Sequence, residues 1–125
     1  MKTTKTALRL AVLLMTGIAT GTAAAATIVV TTTADSIAND GQCSLREAIT
    51  AANADAAFNG CVAGNGVDEI VLAAAEYRFE LSGAGEDANA SGDLDVRSSL
   101  VVRGAGADVT RIRGDREDRV FDLAM

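Results

Sequence analysis

Histidine is absent from the 125 residues, and lysine occurs only at Lys2 and Lys5. Without His, the usual Ser–His–Asp triad has no base. Two cysteines without His also leave too few soft ligands for zinc. Aromatic residues are scarce, Phe58, Tyr77, Phe79 and Phe121 being all there are, so a free-standing globular core would be thin. No C-x-x-C pair is present, which removes the common redox motif. No internal repeat recurs at a fixed period, so periodicity alone does not declare a solenoid.

What is present begins with a targeting pattern. Lys2, Lys5 and Arg9 form a positive n-region, residues 7–18 an apolar run, and Ala24-Ala25-Ala26 or Ala23-Ala24-Ala25 a small-residue cleavage point. The apolar run falls short of the ~20 residues a membrane span requires. Residues 1–26 therefore read as a signal peptide, and the cleaved chain is expected to be exported, to the cell surface, the medium or the periplasm, without a transmembrane anchor. Its loss leaves eight arginines against seventeen acids, a charge near −9. Such a chain lacks the basic face that nucleic-acid binding demands.

Cys43 and Cys61 are the only cysteines. In an exported chain an even count predicts a disulfide. The bridge would stabilise by roughly 3 kcal/mol on the chain-entropy view.

The densest local chemistry lies in Cys43-Ser44-Leu45-Arg46-Glu47-Ala48-Ile49. Ser44 with Glu47 three residues later forms a capping box. Leu45, Ala48, Ile49 and Ala52 then supply an apolar stripe, predicting a short amphipathic helix over 44–55. Arg46 and Glu47 are expected to serve capping and packing rather than catalysis.

This heptad resembles the N-terminal CSLREA-type domain of secreted bacterial proteins. Asp35 and the Asn39-Asp40-Gly41 turn precede it, and TAANAD, GDLDV, LVVRGAGAD and DRVFDL follow in order. The resemblance spans roughly residues 27–123. It implies a mainly β chain, in which a cap helix precedes the first coils of a right-handed parallel β-helix. Residues 27–68 would hold the first strand, cap helix and disulfide loop, and residues 69–125 the first coils. Further coils are usual in that family, so the chain reads as a truncated product or a fragment, whose open last coil is expected to self-associate.

The residues themselves agree with many short strands. TIVVTTT over 27–33 is β-branched, and residues 58–68 carry Gly60, Gly64 and Gly66 and read as loop. Short apolar runs follow at 69–72, 77–81, 92–96, 100–103, 109–113 and 119–123. A small β-sandwich fits this pattern as well as stacked coils do.

Three chemical patterns bear on function. Asp87, Asn89, Ser91, Asp93 and Asp95 alternate around Gly92 like the start of a calcium loop, but Ser98 stands where the bidentate Glu belongs. Calcium is the only cofactor the sequence suggests. Glu69, Glu76, Glu80, Asp93 and Asp95 offer carboxylates for glycoside cleavage, yet read better as a solvated face. Arg103, Arg111, Arg113, Arg116 and Arg119 alternate with acids and predict surface ion pairs, while Gly104-Ala105-Gly106 lacks the rest of a dinucleotide loop. The sequence therefore points to a non-catalytic capping module of an exported β-helix protein, with adhesive or structural duties toward surface, matrix or carbohydrate ligands. A polysaccharide-active enzyme and a calcium-binding module are the alternatives.

Overall fold

The computed structural model describes residues 24–124; of the leader assigned to residues 1–26, residues 1–23 lie outside them. The chain is mainly β. Its elements are β1 (Thr27–Val29), α1 (Leu45–Ala54), β2 (Asp68–Val71), β3 (Glu76–Arg78), β4 (Leu94–Val96), β5 (Leu100–Arg103), β6 (Arg111–Arg113) and β7 (Phe121–Leu123).

All strand pairing in these sheets is parallel, and it follows one rule. β2 and β5 pair, β3 and β6 pair, and β4 and β7 pair, while β1 lies on the other edge of β2. The chain thus makes two passes of three short strands, the second laid on the first in the same order. Parallel neighbours cannot be joined by a tight hairpin, and here each crossover is the rest of a pass.

Side chains from successive passes form columns. Ile28, Ile70 and Val102 share one register, Tyr77 and Ile112 a second, and Leu94 and Phe121 a third. Burial declines along each column. Ile28, Ile70 and Leu94 are fully enclosed, whereas Val102, Ile112 and Phe121 are only partly buried against them. Each enclosed aliphatic side chain contributes about 1.5–3 kcal/mol by leaving water.

The helix closes the other end. Its N-cap Ser44 accepts from the Glu47 N–H, and the Glu47 carboxylate accepts from the Ser44 N–H, completing the capping box. Asp55 ends it in the left-handed region (φ 48°), its N–H returned to Ala51 and Ala52. Leu45, Ala48, Ile49, Ala51 and Ala52 are buried, and α1 packs against β4, β1 and β2. The Cys43–Cys61 disulfide is present, with a Cα–Cα distance of 4.8 Å.

Several strands are shorter than their apolar runs. The first ends at Val29 rather than Thr33, because the Thr31 and Thr32 N–H groups turn to the Cys43 carbonyl. The run at 77–81 pairs only as far as Phe79, since the Glu80 and Leu81 N–H groups donate to Asp35 instead. At 109–113 the Val109 and Thr110 N–H groups close a turn on Gly106, so β6 begins at Arg111.

Candidate functional site

Arg46 projects from the first turn of α1 and is 1% exposed. Its guanidinium meets the Asp35 carboxylate with two bonds, Nε to Oδ1 at 2.7 Å and Nη2 to Oδ2 at 3.1 Å. Nη2 also donates to the Gly92 carbonyl at 2.8 Å, and Nη1 to the Asp93 carbonyl at 3.0 Å. The Phe79 ring lies beneath, its centroid 5.5 Å from the guanidinium carbon. Cation and ring at that separation attract.

Asp35 is the counterpart hub. Besides Arg46 it accepts the N–H groups of Glu80 and Leu81 at 2.9 and 3.0 Å. Burial opposes its ionisation, but the bonds from Arg46, Leu81 and Glu80 outweigh it and hold the carboxyl below its ordinary range. One ion pair therefore joins the segment before the helix, the helix itself, and both ends of the connection between β3 and β4.

Glu47 extends this hub past the capping box. Its carboxylate also accepts the Ala38 N–H and the Asn59 amide, each at 2.7 Å. Ser44 donates its hydroxyl to the Ser36 carbonyl at 2.7 Å. The roles expected for Cys43, Ser44, Glu47 and Cys61 are those seen. Arg46 does more than cap, and its carbonyl partners, 46 and 47 residues away, leave no local mark beside it.

The five residues of the calcium-like pattern do not gather on one centre: Asp87, Asn89 and Asp95 stay together, while Ser91 and Asp93 turn to other partners. The Asn89 amide donates to the Arg46 carbonyl and to the Thr50 hydroxyl, at 2.8 and 2.9 Å. Asp93 faces Arg119 at 3.3 Å, and the Ser91 N–H goes to Glu86. Asp95 accepts the Asn89 N–H at 2.7 Å. Its carboxylate lies with those of Asp87 and Asp122 in a group whose atoms are within 4.8 Å of one another. Asp122 was not among the residues the sequence pattern offered. Only the ladder between β4 and β7, which sets Asp95 opposite Asp122, brings it there.

Two of the acids expected on a solvated face are not solvated. Asp93 is 3% exposed and Asp95 2%. Every residue of β4 is buried. The Asn89 segment lies over the Asp95 carboxylate and donates its N–H to it, while Arg46 and Asn53 of α1 bond the backbone at and beside the strand. Burial first, then repulsion from Asp118 and Asp95, raises the Asp93 pKa against the pull of Arg119. Burial likewise raises Asp95, opposed by the Asn89 N–H and reinforced by Glu86 and Asp87. The remaining acids behave as expected: Glu69 pairs with Arg103 at 2.7 Å and Glu76 with Arg78 and Arg113 at 2.8 and 3.3 Å. Arg119 pairs with Asp122 and Asp118 as well.

At the far end the second pass exposes its inner side. Val67, Val96, Leu100, Val102, Phe121 and Leu123 line an open apolar depression of about 460 Å³. A second depression, about 480 Å³, lies between Leu72, Val102, Ile112 and Phe121. Among the described residues no helix is long and apolar enough to cross a membrane.

No family model, no curated protein and no solved structure matches this chain.

Proposed function

We propose that this chain is the non-catalytic N-terminal capping module of an exported parallel β-helix protein, with a structural or adhesive role at the cell surface. The observation that carries this reading is the contrast between the two ends of the strand stack. Two passes keep one strand order, with β1 and α1 over the first and open apolar depressions on the second. A stack of strands with bare edges invites aggregation, and a cap on one end removes half of that hazard. The disulfide agrees with an oxidising compartment. The motif residues are engaged in holding the cap together, which supports a structural role for them.

The test is to append designed β-helix coils after Leu123 and compare the extended protein with and without residues 27–66. The capped version should unfold cooperatively as a soluble monomer, and the uncapped version should aggregate. A soluble, equally stable uncapped version would remove the capping role. Calcium binding is a second reading, favoured by the Asp87, Asp95 and Asp122 group. It requires a rise in Tm at millimolar calcium that Asp122→Asn abolishes.

A further inference from the structure

Ala26 is already part of the fold. Its carbonyl accepts the Glu69 N–H at 2.8 Å, one residue ahead of β1. Its own N–H donates to Asp68 Oδ1 at 3.2 Å. Ala24 and Ala25, immediately before it, are exposed.

Asp68 is an unusual acceptor for one backbone N–H. It is 0% exposed, and no arginine among the described residues pairs with it. Oδ1 also takes the Asn65 N–H at 2.7 Å, but Oδ2 is buried without any hydrogen-bond partner. Gly64 lies so close that an added Cβ would stand 2.5 Å from Oδ2. A buried carboxylate held by two amide donors, with one oxygen bare and no described arginine paired to it, is costly.

We propose that export processing cuts the Ala25–Ala26 bond, and that Asp68 captures the α-ammonium this releases. The inference rests on the export reading. A signal peptidase would add water across the amide, leaving a carboxylate on Ala25 and an amine on Ala26 that takes up a proton. The new terminus brings three N–H donors and a positive charge to the carboxylate, where Ala26 now offers a single amide N–H beside that of Asn65. Ala23-Ala24-Ala25 supplies the small residues such a cut requires. Cutting one residue later would discard Ala26, taking away one of the two donors to Oδ1 and the acceptor for the Glu69 N–H.

The chain is unusually suited to the test. Both lysines lie in the leader, so after cleavage the α-amine is the only amine left to label. The protein is recovered from exporting cells, its N-terminus read by mass, and the amine reductively methylated with ¹³C and titrated by NMR. The expected result is a chain starting at Ala26 whose amine titrates well above the ordinary range of about 7.7–8.0. In Asp68→Asn it should return toward that range, and if this variant does not fold the wild-type titration decides alone. A chain starting at Ala26 with an ordinary titration overturns the capture. A chain starting at Thr27 or elsewhere overturns the assigned bond while export stands. An uncut chain overturns the export reading and this inference together.

Discussion

Replacing Arg46 by Ala would remove one half of a buried ion pair while leaving the other half in place. Asp35 would keep only the Glu80 and Leu81 N–H groups, and the Gly92 and Asp93 carbonyls would lose their donors. Breaking a buried pair from one side costs about 3–5 kcal/mol, and each orphaned carbonyl adds about 1–3 kcal/mol where water does not enter. Domains of this size have roughly 5–15 kcal/mol of stability in total. Arg46→Ala should therefore unfold at much lower urea, with Tm lower by about 12 °C or more, or fail to fold. Arg46→Lys should recover little, because one ammonium cannot make the paired contacts of a planar guanidinium. Urea denaturation followed by far-UV circular dichroism measures this directly. A double substitution, Asp35→Asn with Arg46→Met, should be less damaging than Arg46→Ala alone, since no charge is then left buried. A loss below about 1 kcal/mol in Arg46→Ala would refute the assignment of this ion pair as the junction of the capped end.

Cys43→Ser with Cys61→Ser should lower stability by about 3 kcal/mol, read as the shift in urea midpoint against the oxidised chain; an unchanged midpoint would show that the bridge constrains nothing. Stability should pass through a maximum in weak acid. Asp93 and Asp95 have raised folded pKa values, so their strain is relieved as pH falls through those values toward the ordinary carboxylate range. Asp35 is lowered, so its contribution is present above its unfolded pKa and is lost as pH falls through its folded value. Tm measured across pH 2–8 (roughly the span over which carboxylates titrate) should rise and then fall on acidification, and a monotonic rise toward the acid end would contradict the Asp35 role. Gly64→Ala would push a methyl to 2.9 Å from the Ala52 Cα and 3.0 Å from the Ala51 carbonyl. Overpacking against backbone should cost about 1–3 kcal/mol, whereas Gly66, which has open space, should lose stability only through its backbone angle.

The helix start and the disulfide were legible because their information is local. Ser44 and Glu47 are three residues apart, and Cys43 has only one cysteine to meet. The strands were legible as apolar runs but their ends were not, because those ends depend on which group claims each amide. Asp35 takes the Glu80 and Leu81 N–H groups from 45 and 46 residues away, and nothing near residue 80 announces it. The absent repeat has a geometric cause as well. Paired strands are offset by 32 residues (68 to 100), 35 (76 to 111) and 27 (94 to 121), so no single period exists. Alternation assumes one wet face and so misses Asp93 and Asp95, because the Asn89 segment lies over the Asp95 carboxylate and Arg119 against that of Asp93.

The Arg46 junction also imposes an order of events on a chain that emerges from its N-terminus. The helix can form early, since its cap and stripe are local, and Cys61 soon follows to close the bridge. Its arginine then waits, because the carbonyls it binds belong to Gly92 and Asp93, some 46 and 47 residues further on. Contacts this distant form only after the loop between them has been closed. Until that stretch has emerged, the arginine at the first end of the protein has Asp35 for its charge but no carbonyl for its outer N–H groups. A chain stopped at residue 91 should accordingly leave residues 34–42 open to proteases, while one that includes Asp93 and the strand after it should protect them.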